Sequence, residues 1–167
     1  MIEFDNLFKN VNLFNSEVSR PQSTFKEDNY PFVNKLVLFY CSNSFSDINI
    51  LINILKIDCT LILQNATTNT SSKTYIENQF MPDIVIDANI KAIEKYQVEQ
   101  SNSGLSYFVI VPGYEKDIKL SKDIKLLLST SGSTGVAKYV KLSKENILSN
   151  AISITKYLPI RKSDNLP

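Results

Sequence analysis

KLVLFYCSNSFSDINILINILKIDCTLILQ, residues 35–64, decides the fold class. KLVLFY (35–40) is an unbroken apolar, β-branched and aromatic run, the pattern of a strand covered on both faces. Ser46 and Asp47 then supply an N-cap signal, and Ile48, Leu51, Ile52 and Leu55 recur at helical spacing to about Ile57. CTLILQ (59–64) returns to a strand pattern. Strand, amphipathic helix and strand in that order describe a βαβ crossover, which pairs its strands in parallel.

The same alternation extends towards the C-terminus. A polar NATTNTSS turn leads to a helix over roughly Lys73 to Phe80, and DIVID (83–87) reads as a third strand. LSYFVIVP (105–112) and IKLLLST (124–130) are strand-like, and YVKLS precedes a helix that starts near Ser143. The expected class is therefore α/β, with a largely parallel sheet and flanking helices. Residues 1–34 are polar and weakly patterned: Phe4, Leu7, Phe8, Val11 and Phe14 suggest a short docking helix before the turns at Pro21 and Pro31. The division expected is a docking segment over 1–34 and an α/β unit over 35–167.

Composition removes several functions. Eighteen Lys and Arg face 17 Asp and Glu, a net charge of +1, so no basic footprint for nucleic acid or an anionic membrane exists. The 167 residues contain no histidine, which excludes Ser-His and Cys-His nucleophiles and His-ligated metals within this stretch. Cys41 and Cys59 form neither a CxxC pair nor a disulfide framework and read as reduced thiols. The start MIEFDNLFKN carries acid where a signal peptide needs base, so no leader is expected, and no apolar run reaches the ~18 residues of a membrane span. A cytoplasmic protein is expected.

The chemistry lies in LLSTSGSTGVAK (127–138), a glycine and hydroxyl segment directly after an apolar strand and ending in lysine. Gly132 and Gly135 let backbone N–H groups converge on an anion, Thr130, Ser131, Ser133 and Thr134 add donors, and Lys138 adds mobile positive charge. The spacing is not GxxxxGK[ST], which argues against a Walker-type NTPase. A flexible Ser/Gly linker is the bland alternative, but a linker does not sit between IKLLL and YVKLS inside a patterned sheet.

STSGSTGVAK, Ser129 to Lys138, resembles the phosphate-binding signature of the adenylate-forming (AMP-binding) superfamily, which includes acyl-CoA synthetases, luciferases and adenylation domains of nonribosomal peptide synthetases. YVKLSKENILSNA (139–151) is similar to the strand and Ser-initiated helix that follow it there, and the likeness runs over roughly residues 35–155. One departure is clear: the family commonly has Pro-Lys-Gly where this chain has Ala137-Lys138-Tyr139.

The resemblance implies the N-terminal part of the large domain of a longer enzyme. Such an enzyme joins a small-molecule carboxylate to AMP from ATP and Mg2+, then passes the acyl group to coenzyme A or a carrier protein. Thr130, Ser131, Gly132, Ser133, Thr134, Gly135 and Lys138 would hold the β- and γ-phosphates, with Lys138 neutralising the departing pyrophosphate. Metal ligands, acyl pocket and adenine site are expected beyond residue 167. The isolated stretch is expected to be inactive and prone to self-association. A non-catalytic phosphate-binding module, or a scaffold piece in which the loop is only a turn, are the other readings.

Overall fold

The computed structural model describes residues 31–42, 44–88, 95–100, 105–114, 121–130 and 138–158. Seven strands form one sheet: β1 (Leu36–Cys41), β2 (Thr60–Asn65), β3 (Ile84–Ile86), β4 (Tyr96–Gln100), β5 (Ser106–Ile110), β6 (Ile124–Thr130) and β7 (Lys138–Ser143). Three helices accompany them, α1 (Phe45–Lys56), α2 (Thr70–Phe80) and α3 (Lys144–Tyr157). The strand order is β4-β5-β3-β1-β2-β6-β7.

The α/β class is as expected, but the sheet is mixed rather than largely parallel. β1 pairs in parallel with β2 and β3, and β2 with β6, whereas β3–β5, β4–β5 and β6–β7 are antiparallel. The reason is connection length. A parallel crossover takes roughly a dozen residues or more, and the connections 101–105 and 131–137 are too short to provide one, so both flanks of the parallel centre fold back.

The β1-α1-β2 and β2-α2-β3 crossovers lead in opposite directions from β1, and their helices cover opposite faces. Ile50 and Ile54 of α1 pack with Val37, Phe39, Leu61 and Ile86. Ile76 of α2 packs with Leu38, Tyr40, Ile62, Val85 and Leu127. Even and odd residues of β1 thus enter separate cores, which is why KLVLFY carries no polar alternation. The first helix begins about two residues earlier than expected: Ser44, not Ser46, is its N-cap, and its hydroxyl accepts from the Asp47 amide at 3.1 Å. Likewise α2 starts at Thr70 rather than Lys73, capped by Asn69. It stops at Met81, in left-handed backbone at φ 44°, because the ring of Pro82 bars the right-handed helical conformation in the residue before it.

A buried lysine stands at the amino edge of the parallel strands. Lys125 is 2% exposed, and its ammonium donates to the carbonyls of Ile54 (3.2 Å), Ile57 and Cys59 (3.1 Å). It adds a charged donor at the end of α1, where the Ile54 carbonyl also accepts from the Ile57 amide and the Ile57 carbonyl from the Cys59 amide. Burial pushes its pKa down and that of the neighbouring Cys59 thiol up. Cys41 lies at the opposite end of the parallel strands from Cys59, and both thiols are free. The expected docking helix falls within residues 1–30, outside the described residues.

Candidate functional site

In an open α/β sheet, ligands bind beyond the carboxyl ends of the parallel strands, where two neighbouring strands send their connections to opposite faces. Here the order β3-β1-β2 puts that point beside β1, on the carboxyl edge of the sheet. Its rim is built locally. Asp47 accepts from the Ser42 amide and hydroxyl at 2.7 and 2.6 Å, tying the end of β1 to the start of α1. Asn65 accepts from the amide and hydroxyl of Thr67 at 2.8 and 2.7 Å, turning the chain out of β2.

β6 lies beside β2, so its carboxyl end opens at the same edge. Thr130 and Lys138 are the last strand residues on either side of residues 131–137, directly opposed across β6 and β7. The Thr130 hydroxyl donates to the Lys138 carbonyl at 3.2 Å, and both residues are exposed. Of the residues singled out in the sequence, Thr130 and Lys138 are thus brought together, while Ser131, Gly132, Ser133, Thr134 and Gly135 lie outside the described residues.

One rung below, a polar row crosses the sheet on the face covered by α2. Tyr40 is in register with Gln64, and Ser129 with Tyr139. Since Leu63 pairs with Leu128, Gln64 also neighbours Ser129. The Gln64 amide nitrogen donates to the Tyr139 hydroxyl at 3.1 Å, and the Ser129 hydroxyl donates to its oxygen at 3.4 Å. Tyr139 meets Phe80 of α2 edge-on, with centroids 4.7 Å apart. Burial, and less strongly Tyr75, pushes the Tyr139 phenol up.

The row continues past β1. Lys73 of α2 pairs with the fully buried side chain of Asp87 and lies 4.4 Å above the ring of Tyr40. The Tyr40 hydroxyl donates to Glu77 at 3.3 Å. Burial first, then the charge of Glu77, drives the Tyr40 phenol far above its ordinary value. Gln64, Lys73, Asp87 and Lys125 were not singled out in the sequence. The available signal was a polar side chain within or at the end of an apolar run, as in CTLILQ and IKLLL, where a buried partner is needed.

A cleft of about 880 Å³ opens at the other, amino edge of the parallel strands. Among its charges, Lys35 pairs with Asp83 at 3.6 Å and Lys144 with Asp58 at 3.3 Å. It is on the wrong side of the sheet for the strand-end rule, and volume alone does not make it the site. Among the described residues no three His, Cys, Asp or Glu side chains come together to hold a metal ion, and no helix there is long and apolar enough to cross a membrane.

No protein-family model matches the sequence, and neither does any curated protein. Among solved structures the chain is similar to the crystal structure of CmiS6, with a TM-score of 0.56 and 11% identity over 75% of this chain. The match takes in 31% of the CmiS6 chain, so this chain spans about a third of its length. At that identity the likeness shows the fold alone.

Proposed function

We propose that this chain carries the phosphate-clasping part of an ATP-dependent carboxylate-activating ligase of the adenylate-forming kind. The observation that supports it most is the position of the hydroxyl and glycine segment. It joins β6 to β7 at the carboxyl edge of the parallel strands, with Thr130 and Lys138 opposed at its base.

In such a reaction a carboxylate oxygen attacks the α-phosphorus of ATP and the bond to pyrophosphate breaks, leaving an acyl-adenylate. Attack of a thiol of coenzyme A or a carrier protein on the acyl carbonyl then expels AMP. The part of this chain is positioning and charge. Backbone amides and the hydroxyls of Thr130, Ser131, Ser133 and Thr134 hold the β- and γ-phosphates, Gly132 and Gly135 allow close approach, and Lys138 offsets negative charge on the leaving pyrophosphate. Mg2+ would arrive on the triphosphate. The described residues offer it no carboxylate cluster, so no step is assigned to a metal ligand here.

Carboxylate-dependent exchange of labelled pyrophosphate into ATP, run on the full-length protein with fatty, aryl and amino acids, tests the reading. Exchange driven by one of these acids supports it. MgATP binding without exchange under any acid puts the non-catalytic phosphate-binding module in its place. Absence of both binding and exchange removes the nucleotide altogether.

A further inference from the structure

We propose that Gln64 is a positioning residue for the phosphate loop, acting through Ser129 and Tyr139; this rests on the reading of residues 131–137 given above. Gln64 is 8% exposed and stands at the end of β2, a strand that belongs to neither side of the loop. Its amide reaches side chains of both strands that frame those residues, in addition to the ladder that pairs them, accepting from Ser129 on β6 and donating to Tyr139 on β7. A primary amide is suited to this because it offers a donor and an acceptor from one rigid plane. The ladder sets the spacing of the two strands, and the rung that Gln64 holds lies directly beneath the Thr130–Lys138 pair, so side-chain orientation at the loop's two feet is fixed from the neighbouring strand.

Tyr139, where the resembling family commonly has glycine, takes part in the same bridge. A side chain there must go somewhere, and it goes inward: half-buried, edge-on to Phe80 and hydrogen-bonded to Gln64. Tyr139 therefore anchors the strand that carries Lys138 to α2 and β2 at once. Alternate residues of a strand point to opposite faces, so fixing Tyr139 on the α2 side holds Lys138 to the other side. An apolar residue at 64 would pack as well but would leave the Tyr139 hydroxyl and the Ser129 hydroxyl without this common partner.

The test compares nucleotides that differ only in the phosphates the loop would hold. In the full-length protein, Gln64→Leu and Tyr139→Phe are titrated with MgATP and with AMP, alongside thermal melts. Gln64→Leu should weaken MgATP about tenfold and Tyr139→Phe about threefold, with AMP affinity within about twofold of wild type in both. Tyr139→Phe keeps the ring on Phe80, so it carries the test even where Gln64→Leu unfolds. Equal losses for MgATP and AMP, or no loss for either, overturn the positioning role and leave a buried amide that serves only the core. Wild-type protein that binds neither nucleotide overturns the phosphate-loop reading itself and the proposal with it.

Discussion

Thr130 and Lys138 face each other across the last rung of β6 and β7, the Thr130 hydroxyl 3.2 Å from the Lys138 carbonyl. This bond ties the lysine's backbone and leaves its ammonium exposed. A structural lysine in the same fold looks different. Lys125 is buried and spends its donors on backbone carbonyls. The contrast separates a charge available to a ligand from one consumed by the fold, and the two should answer differently to removal.

Lys125→Met is expected to destabilise the fold by about 2–4 kcal/mol. Methionine fills the volume but cannot donate, so the carbonyls of Ile54, Ile57 and Cys59 lose a charged donor, and bonds to a buried cation are worth more than hydrophobic replacement returns. Urea unfolding should show a lower midpoint at unchanged slope. An unchanged midpoint would mean water reaches those carbonyls.

Asp87→Asn should cost about 3 kcal/mol, because it leaves Lys73, with 12% of its side chain exposed, beside a neutral amide in a buried site. The same urea experiment reads it. A loss below about 1 kcal/mol would place this pair with solvent-screened surface bridges.

Glu77→Gln is expected to stabilise the protein at neutral pH. Burial is the main force holding the Glu77 carboxyl above the usual glutamate range; the Tyr40 hydrogen bond opposes it, and Asp87 adds to it. A carboxyl raised in the folded state favours folding while protonated, and that contribution is lost as pH rises through its folded pKa. Glutamine removes the loss and still accepts from Tyr40. Melts across the acid range should therefore show the variant's advantage at neutral pH shrinking as pH falls through the carboxylate range. An advantage that grows on acidification would reverse the sign and refute the assignment.

Much of this was legible because β1, α1, β2 and β6 are strongly patterned. Leu36 to Tyr40 are buried without a break, as KLVLFY implies, and IKLLLST coincides with β6 over its whole length. YQVEQ (β4) was not legible. It is an edge strand whose Val98 is 61% exposed and whose polar residues face solvent, so its pattern matches a loop as well as a strand. The antiparallel flanks were encoded in the short connections 101–105 and 131–137 rather than in hydrophobicity, which is why periodicity alone suggested a parallel sheet. At the site, composition exposed the loop, whereas the Gln64 bridge joins residues 65 and 75 positions apart and has no local signature.

The most direct measurement is pyrophosphate release by the full-length protein with its carboxylate, comparing wild type with Lys138→Ala and recording a melt of each. If the exposed Lys138 ammonium stabilises charge on the β- and γ-phosphates, the variant should be slower by roughly 10²–10³, about 3–4 kcal/mol, as for loss of one preorganised electrostatic contact. Its melt should stay within the ~0.5 kcal/mol usual for surface substitutions. A Lys138→Ala protein with normal release and a normal melt would make this lysine an ordinary surface charge and contradict the phosphate site.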